Sequence, residues 1–78
     1  MTAATQWRIT AEGFGHQADR VIEGRVQGDE QPTELDAARV MVIEAQKVQV
    51  LVPAGRPGAS PIDRLRDYKF KISRIEPA

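Results

Sequence analysis

The stretch QWRITAE, residues 6–12, decides how the rest of this 78-residue chain is interpreted. Apolar side chains alternate along it with polar ones: Trp7, Ile9 and Ala11 against Arg8, Thr10 and Glu12. A period of two is typical of a strand with one buried face. We therefore predict that the domain is built on a sheet and that this segment is its first strand.

RVIEGRVQG, residues 20–28, alternates less regularly, and we interpret it as a second strand. Gly24 within it predicts a bulge or the close approach of another element. The intervening EGFGHQAD, residues 12–19, has a length that suits a hairpin connection, with its glycines as turn residues able to adopt positive φ. Phe14 in this connection is expected to fold back onto the edge of the core.

A helix is predicted over residues 33–52. Thr33 can accept the backbone N–H of Asp36, and acidic residues in the first turn suit the helix dipole. Apolar residues follow at spacings of three and four and form one stripe: Leu35, Ala38, Met41, Val42, Ala45, Val48 and Val52. Because KVQVLVP (47–53) alternates and is β-branched, the alternative is a helix that ends near Gln46 and a fourth strand after it.

DYKFKISRI, residues 67–75, predicts the third strand, and DRLR (63–66) before it a short helical turn. The order is β-β-α-β, which gives an α+β domain with a three-stranded antiparallel sheet in the order 2-1-3; the alternative is a four-stranded sheet. One long helix covers a single face. The predicted core comprises Trp7, Ile9, Ile22, Val26, Tyr68, Phe70 and Ile72. We expect residues 1–5 to be a flexible tail and residues 6–76 to be one domain.

Composition narrows the classes of function. Eleven Lys and Arg balance eleven Asp and Glu, with no Cys and a single His. Disulfides and thiolate or multi-histidine metal sites are thereby excluded. His16 has no neighbouring nucleophile, and no motif for catalysis or for a cofactor is present. We therefore expect a non-enzymatic protein without metal or cofactor. It is expected to be cytoplasmic, because it has neither a signal peptide nor an apolar stretch long enough for a bilayer.

Four apolar residues lie off the main stripe of the predicted helix: Val40, Ile43, Val50 and Leu51. One sheet covers only one side of a helix, so these residues predict a second contact surface. We expect this surface to mediate self-association or the binding of another protein, with Phe14 as a second candidate contact. The alternative is that residues 48–52 form a strand, which would absorb Val50 and Leu51 without a partner.

Charge is unevenly distributed: residues 19–44 hold seven acids and three bases, and residues 56–74 hold six bases and two acids. Cross-strand pairing of Glu12 and Glu23 with Lys69 and Lys71 explains this without a partner. The alternatives are a head-to-tail contact between molecules or an acidic partner for the basic end. A further alternative function is nucleic-acid binding by the basic segment: Arg64, Arg66, Lys69, Lys71 and Arg74. Zero net charge argues against it, and so does the alternation that separates the aromatic residues from the lysines.

In size and composition the chain is similar to small accessory proteins encoded by phages of actinobacteria. It is short, rich in Ala, Val and Arg, lacks Cys and carries no catalytic signature. The resemblance covers the whole chain but involves no motif. It implies a protein that acts by binding a host or phage protein, often as an oligomer, and it assigns no role to any residue.

Overall fold

The predicted sheet is present in the computed structural model, which describes residues 5–48 and 57–78. The first strand, β1, spans Thr5–Gly13 and lies between β2 (Val21–Gly28) and β3 (Phe70–Pro77). Both pairings are antiparallel, so the predicted order 2-1-3 and the α+β class are confirmed. The strand begins at Thr5, a residue that the sequence assigned to the tail.

A single 3-10 turn, Gly15–Gln17, connects β1 to β2. Gly15 has φ +58°, a left-handed conformation that glycine adopts without steric cost. Gly13 is required for a different reason, because a Cβ at this position would overlap the backbone carbonyl of Gln17. Of the two glycines, only Gly15 therefore has the positive φ that the sequence predicted.

The long helix, α1, spans Glu34–Val48. Its predicted start is confirmed: the Thr33 Oγ1 accepts the Asp36 N–H at 3.2 Å. The buried face consists of Ala37, Ala38, Met41, Val42 and Ala45. Leu35 was predicted on this face but is 39% exposed. The last four residues of the predicted helix, and all of the alternative strand except its start, lie outside the described residues.

A second helix, α2, spans Pro61–Asp67 and is longer than the predicted turn. Ser60 begins it, with its Oγ accepting the Asp63 N–H at 3.1 Å, and proline suits the first helical position. Tyr68 ends the helix rather than opening the strand, and Lys69 follows with φ +68°. The predicted strand start at residue 67 was therefore wrong, although Tyr68 is buried as expected.

Both helices lie on one face of the sheet and enclose the core with it. Ile9, Met41, Leu65, Tyr68 and Phe70 are its largest fully buried side chains. Gly24 of β2 is buried beneath α1, and the β1–β2 register continues past it without a shift. The glycine thus marks a close approach of strand and helix, the second of the two predicted alternatives.

The β1–β3 ladder contains one irregularity. Thr10 pairs with Arg74 and Ala11 pairs with Ile72, which leaves Ser73 as an extra residue in a β-bulge. The Ser73 hydroxyl donates to the Thr10 carbonyl at 3.2 Å. Because of the bulge, Ile72 and Ile75 both pack against the core although they are three residues apart.

Candidate protein-interaction surfaces

The predicted contact residues of the helix differ in how far the structure exposes them to solvent. Ile43 is 57% exposed and lies on the outer side of α1. Val40 is half-buried, because it packs against the core and stands over Gly24. Val50 and Leu51 lie outside the described residues. Within α1, Ile43 is accordingly the predicted contact residue that is presented to solvent.

Ile43 lies in a groove between the two helices, which we call the α1–α2 groove. Its volume is about 260 Å³, and it is lined by Arg39, Val42, Ile43, Gln46, Ala59, Pro61 and Arg64. Four of these side chains are apolar and two are cationic, and no carboxylate is among the described lining residues. Arg39 and Ile43 are four residues apart, so they project from the same side of the helix.

Phe14 is half-buried at the turn that follows β1. Its backbone N–H donates to the Lys69 carbonyl at 2.9 Å, and the Lys69 Nζ lies 5.8 Å from the centre of its ring. This distance is within the range of a cation–π contact. Phe14 therefore contacts Lys69, and the neighbouring His16 is exposed. The expected packing of Phe14 on the edge of the core stays a prediction.

The five basic residues of the alternative nucleic-acid surface do not come together. Arg64 and Arg66 are on α2, on the helical side of the sheet. Lys71 and Arg74 are on β3, opposite Glu12 and Thr10, whose side chains line the face without helices. The domain thus separates these cations onto two sides of the sheet.

The face of the sheet without helices is polar and carries a shallow depression of about 550 Å³, lined by Arg8, Thr10, Glu12, Glu23, Ser73, Arg74 and Glu76. Its shortest ion pair joins the Arg8 Nη2 and the Glu76 Oε1 at 2.6 Å, and the Arg8 Nε also donates to this oxygen at 3.2 Å. The hydrogen bond from Arg8, followed by Coulombic attraction, lowers the pKa of Glu76. The same hydrogen bond raises the pKa of Arg8.

This ion pair was not predicted from the sequence. The expected neighbours Glu12 and Lys71 do occupy opposite positions on β1 and β3, but Glu23 lies opposite Thr10 and not opposite a lysine. Glu76 comes opposite Arg8 only because the bulge shifts the register of β3 by one residue. The spacing of Ile72 and Ile75 is the signal in the sequence that could have revealed this shift.

Metal-binding side chains and membrane-spanning helices would indicate other classes of function. Among residues 5–48 and 57–78, no group of three or more His, Cys, Asp or Glu side chains is placed to hold a metal ion. No helix in this part of the chain is long and apolar enough to cross a membrane. Comparisons with known protein families, with curated proteins and with solved structures found no match.

Proposed function

We propose that this chain is a small, non-enzymatic protein-interaction module that self-associates. It also binds another protein, and it does so through the α1–α2 groove. The observation that supports the proposal best is the exposure of Ile43 in an apolar groove bordered by two arginines. The chain is also similar in composition to phage accessory proteins, and this similarity is consistent with a partner supplied by a host cell.

The apolar part of the groove accounts for affinity. Val42, Ile43 and Pro61 line a concave surface whose apolar area would leave water when a side chain of the partner enters. Burial of apolar area is the main favourable contribution to most protein–protein contacts. An apolar residue of the partner, such as leucine, would fill this space.

The two arginines account for selectivity. Arg39 and Arg64 border the groove, and the described lining contains no acid to neutralise them. Guanidinium groups bind carboxylates through paired hydrogen bonds, and charge complementarity favours the correct partner and raises the association rate. The partner expected here is therefore a segment in which acidic residues flank an apolar side chain.

The test uses fluorescein-labelled peptides of the sequence EDLLDE and, as a matched charge control, KRLLRK, with binding measured by fluorescence anisotropy. We expect only the acidic peptide to bind and its affinity to fall with rising salt. Arg64→Glu and Ile43→Glu should each weaken binding at least tenfold, whereas Arg66→Glu, an exposed reversal on the same helix, should not. Equal binding of both peptides, or an unchanged affinity in the groove variants, would contradict the proposal.

A further inference from the structure

The two outer strands of the sheet differ in their ability to accept a further strand. The edge formed by β3 is interrupted by the Ser73 bulge and ends at Pro77, which has no N–H to donate. Bulges and prolines are among the features by which proteins protect an edge from pairing. The β2 strand contains neither, and its register with β1 continues without a shift from Val21 to Gly28. Within the described residues, no strand pairs with its outer side.

The hydrogen bonds of the ladder show which backbone groups of β2 point outward. The Gly13 N–H donates to the Arg20 carbonyl at 2.9 Å, so these opposite residues form a hydrogen-bonded pair. Such pairs alternate with non-hydrogen-bonded pairs along an antiparallel ladder. Residues 22, 24 and 26 therefore bond to β1, and residues 21, 23, 25 and 27 direct their backbone groups away from the sheet. The Ala78 N–H, which donates to the Gln6 carbonyl at 2.8 Å, agrees with this alternation on the other side of β1.

The charges on β2 complement those of a second copy of the same strand in one register. In an antiparallel pair centred on Gly24, Glu23 lies opposite Arg25 of the second copy, and Arg25 lies opposite its Glu23. Both residues belong to the outward-pointing set, so their backbones can bond as well. Shifting the centre by one residue in either direction instead places Glu23 opposite Glu23 or Arg25 opposite Arg25, and like charges in directly opposite positions are unfavourable.

We propose that two copies of the chain associate through their β2 strands, antiparallel and centred on Gly24, to form a continuous six-stranded sheet. This inference rests on the proposed self-association and assigns it a surface separate from the α1–α2 groove. Opposite residues of an antiparallel pair share a face, so Ile22 lies opposite Val26 of the second copy on the helical side. The exposed Val21, with 60% of its surface accessible, lies opposite Gln27.

The helical layer extends the contact beyond the strands. Val40 stands over Gly24 of this edge strand and is only half-buried, so part of its side chain stays accessible. The symmetry that joins the strands at Gly24 brings the two α1 helices together near Val40. The residue that the sequence predicted as an interface contact thus borders the proposed two-fold axis.

The test measures molar mass by sedimentation equilibrium on the full chain. We expect the parent to reach twice the 8.6 kDa mass of one chain. Glu23→Lys and Arg25→Glu should each raise the dissociation constant of the dimer at least tenfold, because each places like charges opposite one another. An equimolar mixture of these two variants should recover the dimer, since both cross-strand pairs are then of opposite charge. Arg66→Glu is the matched control and should leave the dimer intact.

A backbone variant and amide exchange provide independent readouts. Arg25→Pro removes an outward N–H that β1 does not use, so the fold should persist, as Trp7 fluorescence can verify, while the dimer dissociates. The Glu23 and Arg25 amides should exchange slowly in the parent and rapidly in the charge variants. A parent dimer that survives both charge variants but dissociates in Ile43→Glu would overturn pairing through β2 and retain self-association. A parent that stays monomeric at millimolar concentration would overturn both the pairing through β2 and the proposed self-association, even if the Glu23 and Arg25 amides exchange slowly. It would leave the peptide-binding result unaffected.

Discussion

Gly24 of β2 lies so close to Met41 of α1 that a Cβ built on the glycine would come within 2.9 Å of the Met41 Sδ. The same Cβ would stand 2.9 Å from the Val40 Cγ1. The missing side chain allows the helix to rest almost directly on the strand. Alanines at positions 37, 38 and 45 permit the same close approach from the helix.

We predict that Gly24→Ala lowers the free energy of unfolding by about 1–3 kcal/mol, because the added methyl overpacks the contact between β2 and α1. Val40 is branched at Cβ and cannot easily rotate away. Urea unfolding followed by Trp7 fluorescence measures the change. Gly28→Ala is the matched control on the same strand: its Cβ would meet nothing closer than the Glu30 carbonyl at 3.5 Å, so stability should be unchanged or slightly higher. Equal losses in the two variants would contradict this explanation.

A second prediction concerns Tyr68, which is only 2% exposed. Its hydroxyl is buried and has no hydrogen-bond partner among the described residues. Burial of an uncompensated hydroxyl is unfavourable by about 1–3 kcal/mol. Tyr68→Phe should therefore unfold at the same or a higher urea concentration than the parent.

Phe70→Tyr is the converse substitution, because Phe70 is fully buried in the same core. It introduces a hydroxyl at a site packed by apolar groups and should lower stability by about 1–3 kcal/mol. A clear loss of stability in Tyr68→Phe would show instead that the native hydroxyl is satisfied.

The third prediction concerns pH and the Arg8–Glu76 ion pair. The pKa of Glu76 is lowered in the folded protein, so its contribution to stability is complete above the pKa of the unfolded chain and is lost as pH falls through the folded-state value. Glu76→Gln should be less stable than the parent at neutral pH. The difference between the two should shrink as pH falls below the ordinary glutamate pKa and disappear below the lower, folded-state pKa of Glu76. Urea unfolding across a pH series provides the measurement.

Carboxyl ¹³C chemical shifts provide a direct control for this assignment. In Arg8→Gln, the pKa of Glu76 should rise toward its ordinary value, because the hydrogen bond that lowers it is removed. Added salt should reduce the difference between parent and Glu76→Gln, since both side chains are partly exposed. A Glu76 pKa that does not respond to Arg8→Gln would refute the proposed cause.

The sheet was predictable because burial of one face fixes the register of a strand. Ile9 and Ala11 are fully buried, and a register shifted by one residue would turn both of them to the opposite face. The start of α1 was predictable from the local chemistry of Thr33. The position of Tyr68 at the end of α2 was not predictable. Its alternation with Phe70 is the same whether Tyr68 lies in the strand or ends a short helix before the strand.

The groove was only partly predictable. Ile43 stands off the apolar stripe, and this was visible in the sequence. Its surroundings depend on α2, and the sequence indicated only a turn there, so Arg64 was grouped with the basic residues of β3. Which cations share a surface is determined by tertiary structure, and spacing along the chain does not record it.

The bulge at Ser73 has a consequence for the size of an assembly. Without this residue, β3 would alternate regularly, and all of its remaining side chains would keep the face that they have now. The domain would then offer two straight edges. Copies joined through both edges could then add to a growing fibre with no natural end. Among the described strands, one extra serine together with Pro77 leaves β2 as the edge without a bulge or a proline, and the dimer proposed above would close at two copies.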